Sequence, residues 1–395
     1  MFGLSERLTA MGHQVIPFAM AYSRNLPSEY RDYFVPPVGS SESTKLGELE
    51  GDPVATIRAA VRSIYSLPAK KQMLRLIDDT KPDLIYTLNI VNHMSPSIVD
   101  AAHTLGIPVV MRMSDYFMVC PNYLFLRDGK MCRECESGYY HAILHKCVHG
   151  SLAASTCRVV GMYFRDLFKI YHKCSGFVAP AAFMENMLLK AGYSGRSVNH
   201  IPTFVDAKKW PPRFDNDGYV LYFGRIAMEK GVDFLLQGYA KSGIHDPLWI
   251  VGEGSPEYIG YLNSLVDSMG CHNVSFLGKK SGQYLTSIVQ GAKYVVVPSM
   301  WFDNMPNVVL EAFASGKPVI ASALGGICEQ VTPKTGILVE AGNVEELASA
   351  MLRLSSDDAL VEWMGREARK RALREYSIEV HGDRLLGLFN DVRRN

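Results

Sequence analysis

At 395 residues the chain is longer than one hydrophobic core usually organises, and its 48% hydrophobic content can fill two. Lys and Arg number 41 against 40 Asp and Glu, so no excess of positive field is present to hold a nucleic-acid backbone, and nucleic acid is not an expected partner. No run of about 18 uncharged apolar residues is available for a membrane span, and no basic-then-apolar leader opens the chain. The expectation is a cytoplasmic protein with reduced cysteines.

In chain order, residues 2–11 have the pattern of an amphipathic helix and residues 13–20 that of a strand. A doubly wound sheet normally begins with a strand, followed by the turn that holds phosphates. The first domain therefore lacks its first strand, and either the sheet is closed differently or the start is internal to a longer protein. The polar stretch 36–52 reads as a long mobile surface loop. Residues 57–76 interleave Arg58, Arg62, Lys70, Lys71 and Arg75 with Ile57, Val61, Ile64, Tyr65 and Leu74. Such a face is either solvated, on a helix packed against the sheet, or a peripheral contact with anionic lipid at the inner face of the membrane.

Strands at 83–88, 108–113 and 176–179 complete a first domain over 1–204. The stretch 205–218, with Trp210-Pro211-Pro212 and Asp215 to Gly218, interrupts the alternation and reads as a linker. A second domain over 205–375 has strands at 219–223, 248–251, 274–277, 294–297, 318–321 and 336–339. Helices at 231–242, 258–269 and 308–315 alternate with them, the pattern of a doubly wound parallel sheet. From 357 onward the chain is mostly helical, ending in a helix over 376–395.

The most informative stretch is 298–322, PSMWFDNMPNVVLEAFASGKPVIAS. A strand ends at Val297, a loop follows, and a helix begins near Val308, so unpaired backbone N–H groups face the crevice at the strand ends and suit an anion. Asp303 and, eight residues on, Glu311 place two carboxylates at the same mouth. A second stretch, YFGRIAMEKG at 222–231, sets Arg225 and Lys230 behind the first strand of the second domain. Gly224, Gly252 and Gly278 close strands with glycine and let a ligand approach the backbone. Taken singly, each of these residues reads as a solvated charge, a surface helix residue or an ordinary turn.

Together, their order and spacing resemble the retaining glycosyltransferases of family 4, with Gly325-Gly326-Ile327-Cys328-Glu329 downstream. The resemblance implies an α/β protein of the GT-B kind, two Rossmann-like domains facing across a cleft, with the C-terminal tail crossing back onto the first. It implies a nucleoside-diphosphate sugar as donor and a glycan or lipid-linked acceptor. Arg225 and Lys230 would clamp the diphosphate, Glu311 would bind the ribose hydroxyls, and Asp303 with Asn304, Met305, Pro306, Asn307 and Val308 would hold the sugar and its phosphates. Glu329 would either join the donor site or serve as a helix cap. No catalytic metal is expected. Two departures stand out: Asp303 replaces the usual Glu, and Ser114 stands before Asp115 where many relatives have a histidine. His93 is a candidate substitute.

Cys120, Cys132, Cys135 and Cys147 are spaced by eleven, two and eleven residues. This spacing suits a structural tetrathiolate zinc site. Free thiols and a disulfide pair are the alternatives, and His141, His145 and His149 compete as ligands. Similar cysteine-rich insertions occur in a subset of family 4 that builds surface polysaccharides. Cys157, Cys174, Cys271 and Cys328 read as small core residues. Two other functions remain open beside transfer: a nucleotide-sugar 2-epimerase, and a sugar-nucleotide-binding protein with impaired catalysis.

Overall fold

The computed structural model describes residues 2–38, 53–88, 90, 94–193 and 197–394. His93 and most of the expected loop at 36–52 lie outside the described residues. The first parallel sheet has the order β1-β2-β5-β6, from β1 (Ile85–Leu88), β2 (Val109–Arg112), β5 (Gly176–Ala179) and β6 (Ser197–His200). Between β2 and β5 the chain makes a small antiparallel hairpin, β3 (Leu126–Arg127) and β4 (Lys130–Met131).

The strand expected at 13–20 does not form, and no strand precedes Ile85 among the described residues. Only Met20 pairs, in an isolated parallel bridge to Val35. Pro17 has no N–H to give a ladder, which explains why an apolar run fails as a strand. Conversely β6, with the polar sequence SVNH, gives no hydrophobic signal, yet it pairs in parallel with β5 from Gly176 opposite Ser197 to Ala179 opposite His200.

The second sheet contains β7 (Tyr219–Phe223), β8 (Leu248–Val251), β9 (Val274–Gly278), β10 (Ala292–Val297), β11 (Val319–Ser322) and β12 (Gly336–Val339), in the order β12-β11-β10-β7-β8-β9. Every residue of β7, β10 and β11 is buried, as expected of central parallel strands covered by helices on both faces. Two buried clusters, one on each face, contain Leu221, Val295 and Val309 and, opposite, Val220, Tyr294 and Leu235.

This strand order decides where a ligand can sit. The chain winds outward from β7 through β8 and β9, then returns to β10 and winds the other way. The connections leaving the neighbouring strands β7 and β10 therefore wind in opposite directions along the sheet, which places a crevice at their carboxyl ends. Both informative sequence stretches begin there.

The last helix, Ile378–Arg394, leaves the second domain and covers the first sheet. Leu385, Leu388 and Val392 pack with Leu4 of the helix Phe2–Ala10 against Val110, Val178 and Ile201.

Candidate active site

Beyond β7 the backbone turns at Gly224, whose φ is +144°, and the strand-end loops of β7 and β8 zip together. Gly224 N–H donates to the Val251 carbonyl at 2.9 Å, and Ile226 N–H to the Glu253 carbonyl at 2.8 Å. The approach is so close that a Cβ at Gly252 would lie 1.8 Å from the Gly224 carbonyl oxygen. Gly252→Ala is therefore expected to force the loops apart, lowering stability by about 3 kcal/mol in urea denaturation.

These loops floor a cavity of about 550 Å³ whose lining includes Gly224, Arg225, Gly252, Val308 and Glu311. The volume suits a ligand of nucleotide size. Lys230, Asp303, Asn304–Asn307, Gly278 and Glu329 of the expected site are not in its lining, whereas Ser255, Lys279, Lys280 and Leu285 are. Lys279 and Lys280 directly follow Gly278 at the end of β9. Their position at a strand's carboxyl end was the available signal, and no motif marked it.

Glu311 lies on the helix Asn307–Ala314, whose N-cap, Pro306, gives no side-chain cap. The first amides of this helix therefore have no side-chain acceptor at the mouth of the crevice. The Glu311 carboxyl makes no hydrogen bond or ion pair among the described residues, and burial alone pushes its pKa up to about 7. A carboxyl held in this way becomes an acceptor for hydroxyl donors once it ionises.

The two cations of the expected clamp are engaged differently. Arg225 reaches back to Glu229 at 2.6 Å, and its side chain is 56% exposed. Lys230 is deeper: its Nζ donates to both oxygens of Asp303, at 3.0 and 2.8 Å, and Ser299 Oγ donates to Asp303 Oδ2 at 2.7 Å. Trp301 spreads its ring 4.9 Å from the same ammonium. The segment is pinned by Met300 N–H on the Glu229 carbonyl at 2.9 Å. At Gly231, φ is +67° and a Cβ would lie 2.0 Å from the Pro298 carbonyl oxygen. The loops after β7 and β10 thus form one unit that aims Lys230.

The loop after β10 also reaches the first domain. Asn304 Nδ2 donates to the Met113 carbonyl at 3.1 Å, and Phe302 stacks on Phe183 at 4.9 Å. Ser114, in the place of the histidine, is exposed, and Asp115 accepts from Phe117 N–H at 3.0 Å.

Glu329 spans the same seam. Its carboxylate accepts from the N–H groups of Ala182 and Phe183 at 3.0 and 3.2 Å and faces His200 Nε2 at 3.3 Å. It caps the helix Ala182–Leu188 of the opposite domain. Burial pushes its pKa up, but His200 and the two amides outweigh that and hold it below the ordinary value. The Glu329 hydrogen bond in turn raises the His200 pKa, against the effect of burial. A raised histidine pKa contributes stability that is present below the unfolded value and lost as pH rises through the folded one. His200→Ala should therefore lower the melting temperature more at pH 5.5 than at pH 8.5, the difference amounting to less than about 1 kcal/mol for this half-exposed pair.

The four symmetrically spaced cysteines come from separate local elements. All eight cysteines are free. No three of Cys120, Cys132, Cys135 and Cys147 bring their sulfurs within 4.8 Å of one another. Cys120 lies in the turns after β2 with Sγ on Asn122 Oδ1 at 2.8 Å, while Cys132 and Cys135 follow the hairpin and Cys147 follows the helix His141–Leu144. The sulfurs remain neighbours, since burial first and then Cys120, Cys147 and Cys132 push the Cys135 thiol up to about 12. Among the described residues, only Glu134, His141 and His145 gather three ligand atoms within 4.8 Å. Of the supposed core cysteines, Cys174 is buried and Cys328 is exposed.

Comparison with known proteins fits this geometry. Residues 217–357 match the glycosyl transferases group 1 family. The matched span runs from just before β7 to the end of the helix Val344–Ser356 and so contains both loops of the crevice. The alpha-D-kanosaminyltransferase of Streptomyces kanamyceticus is 30% identical over 185 residues, 45% of this chain and 47% of that protein. The GDP-mannose-dependent monoacylated alpha-(1-6)-phosphatidylinositol monomannoside mannosyltransferase of Corynebacterium glutamicum is 29% identical over 218 residues, 49% of this chain and 56% of that protein. The chain spans about half the length of these curated relatives. Among solved structures, the sucrose-phosphate synthase of Thermosynechococcus elongatus aligns with a TM-score of 0.70 at 19% identity, over 99% of this chain and 92% of that one. Anabaena HepE in complex with UDP aligns at 0.63 and 17% identity, over 81% and 82%. The fold is GT-B.

Proposed function

We propose that the protein is a glycosyltransferase that moves a sugar from a nucleoside-diphosphate sugar to a hydroxyl of a glycan or lipid-linked acceptor, with retention of anomeric configuration. One observation carries the reading: a nucleotide-sized cavity at the switch point of the second sheet, lined by Arg225 and the unpartnered Glu311. Nucleotide ribose hydroxyls would satisfy Glu311. Arg225, Lys230 and the amides at Asn307 and Val308 would stabilise the diphosphate as the bond to the anomeric carbon breaks. Asp303, bound to Lys230, would set that ammonium in place and offer its remaining acceptor capacity to the sugar. None of the described residues lining the cavity is arranged as an activated nucleophile, which favours direct attack by the acceptor oxygen on the face the diphosphate leaves. Glu329 acts in this reading by holding the domains together.

The test is thermal stabilisation by UDP and GDP, followed by transfer from labelled UDP-glucose, UDP-N-acetylglucosamine and GDP-mannose, with the anomer of the product read by NMR. Stabilisation by neither diphosphate would sink the proposal, and an inverted product would remove retention. A 2-epimerase would convert donor without acceptor; neither curated relative described above is named as one.

No described helix is long and apolar enough to cross a membrane. The helices Pro53–Ile64 and Leu152–Leu167 pack side by side and leave Ile57, Val61, Val160 and Leu167 exposed, with Arg58 and Arg62 and no acidic residue on the first of them. We assign this face to contact with anionic lipid. Sedimentation with phosphatidylglycerol vesicles but not with neutral ones is expected, and Ile57→Glu with Val61→Glu should abolish it.

A further inference from the structure

Three polar atoms at the seam between the domains are buried and have no hydrogen-bond partner: Tyr116 Oη, Trp301 Nε1 and Asn304 Oδ1. They belong to one corner. Tyr116 follows β2, and its ring packs on Phe125 at 5.0 Å and on Phe183 at 6.0 Å. Phe302, between Trp301 and Asp303, contacts those same two rings, at 6.4 and 4.9 Å. Asn304 turns its amide nitrogen to the Met113 carbonyl, three residues before Tyr116, and leaves its oxygen free. Asp303 lies near enough to Tyr116 to raise its pKa further after burial has raised it, so the phenol stays protonated and available as a donor.

An orphaned buried hydroxyl costs about 1–3 kcal/mol. Packing does not require it here, because a phenylalanine ring would make the same aromatic contacts. Such a group calls for a ligand or an ordered water. Tyr116 is 1% exposed, and Asp303, the partner of Lys230, is close enough to act on its hydroxyl, so a group that satisfies it would lie on the side of that pair. The set offers one donor (Trp301), one acceptor (Asn304) and one group that is both (Tyr116). Sugar hydroxyls, each donor and acceptor, complement it.

We propose that Tyr116, with Asn304 beside it, recognises a hydroxyl of the transferred sugar, supplying from the first domain the contact that Ser114 cannot reach. This rests on the nucleotide-sugar reading above and adds a specificity-determining residue to it.

The test is Tyr116→Phe, which keeps the ring and deletes the hydroxyl. The ligand-free melting temperature should stay level or rise, since an unsatisfied group is removed. Affinity for UDP or GDP alone should not change. Affinity for the matching nucleotide sugar, drawn from UDP-glucose, UDP-N-acetylglucosamine and GDP-mannose, should fall about tenfold. A melting temperature lowered by several degrees would make the hydroxyl structural and overturn the proposal. Equal affinity of variant and wild type for every nucleotide sugar would leave only a buried water at Tyr116 and overturn it as well, with the nucleotide site intact. Wild type binding neither UDP nor GDP would instead defeat the nucleotide-sugar reading, and this inference with it.

Discussion

Arg225→Ala should leave the ligand-free melting temperature unchanged to within a degree or two, abolish stabilisation by UDP or GDP, and reduce sugar transfer by about 10²–10³-fold. The first part follows from exposure on the arginine side: the side chain is 56% exposed, so its ion pair to Glu229, 13% exposed, is solvated at the guanidinium end. Such pairs contribute about 0–1 kcal/mol. The second follows from position, since the guanidinium lines the cavity and can exchange Glu229 for a diphosphate in a bidentate contact. Lys230→Ala should behave differently. It strips the cation from an Asp303 side chain only 9% exposed, leaving Ser299 as its remaining side-chain donor. An uncompensated buried carboxylate costs several kcal/mol, so this variant should melt early as well as lose transfer. Thermal melts with and without nucleotide separate the two. A stable Arg225→Ala that is still fully stabilised by nucleotide would remove Arg225 from the site.

Much of the second domain was legible because its signals are local. Buried runs such as YVLYF and AKYVVV mark central strands, and the loop after β10 carries its acid, its amides and its helix within fourteen residues, Pro298 to Glu311. What the sequence hides is which groups meet. Lys230 and Asp303 are 73 positions apart, and nothing in either stretch says that the lysine holds the carboxylate. Glu329 sits in a turn that looks like donor-site sequence, yet its partners are backbone amides 147 and 146 positions earlier. Lys317, within the same signature run, is 1% exposed and donates to the Asp215 carbonyl at 2.7 Å, a structural strut on the linker. The first domain was less legible for a related reason. Its sheet uses four-residue strands, one of them polar, and its only long apolar run before Ile85 is broken by Pro17. The equal cysteine spacing suggests a ligand set, but the elements between those cysteines, a hairpin and a short helix, cannot be read from spacing.

Glu311→Gln should make the ligand-free protein more stable at pH 8 and nearly inactive. The carboxyl is raised by burial from its ordinary 4.5 to about 7. Because the folded value exceeds the unfolded one, its contribution is fully present below about 4.5 and is lost as the pH rises through about 7. At pH 8 the folded protein therefore carries a penalty on the order of 2–3 kcal/mol for an ionised, unpartnered carboxylate, and glutamine removes it. Chemical denaturation across pH 4.5 to 8 should show wild type declining relative to the variant, with the two converging at the acid end. Binding should move the opposite way. Ribose hydroxyls donating to the carboxylate favour its charged form, so wild-type affinity for UDP or GDP should rise as pH passes through about 7. Glutamine keeps one acceptor oxygen but has no charge, and should bind about a hundredfold more weakly with no such pH dependence. A residue placed there for packing alone would show the stability gain without the binding loss, whereas a ribose ligand shows both, because the same unpaired carboxylate that weakens the empty site is the group the nucleotide comes to satisfy.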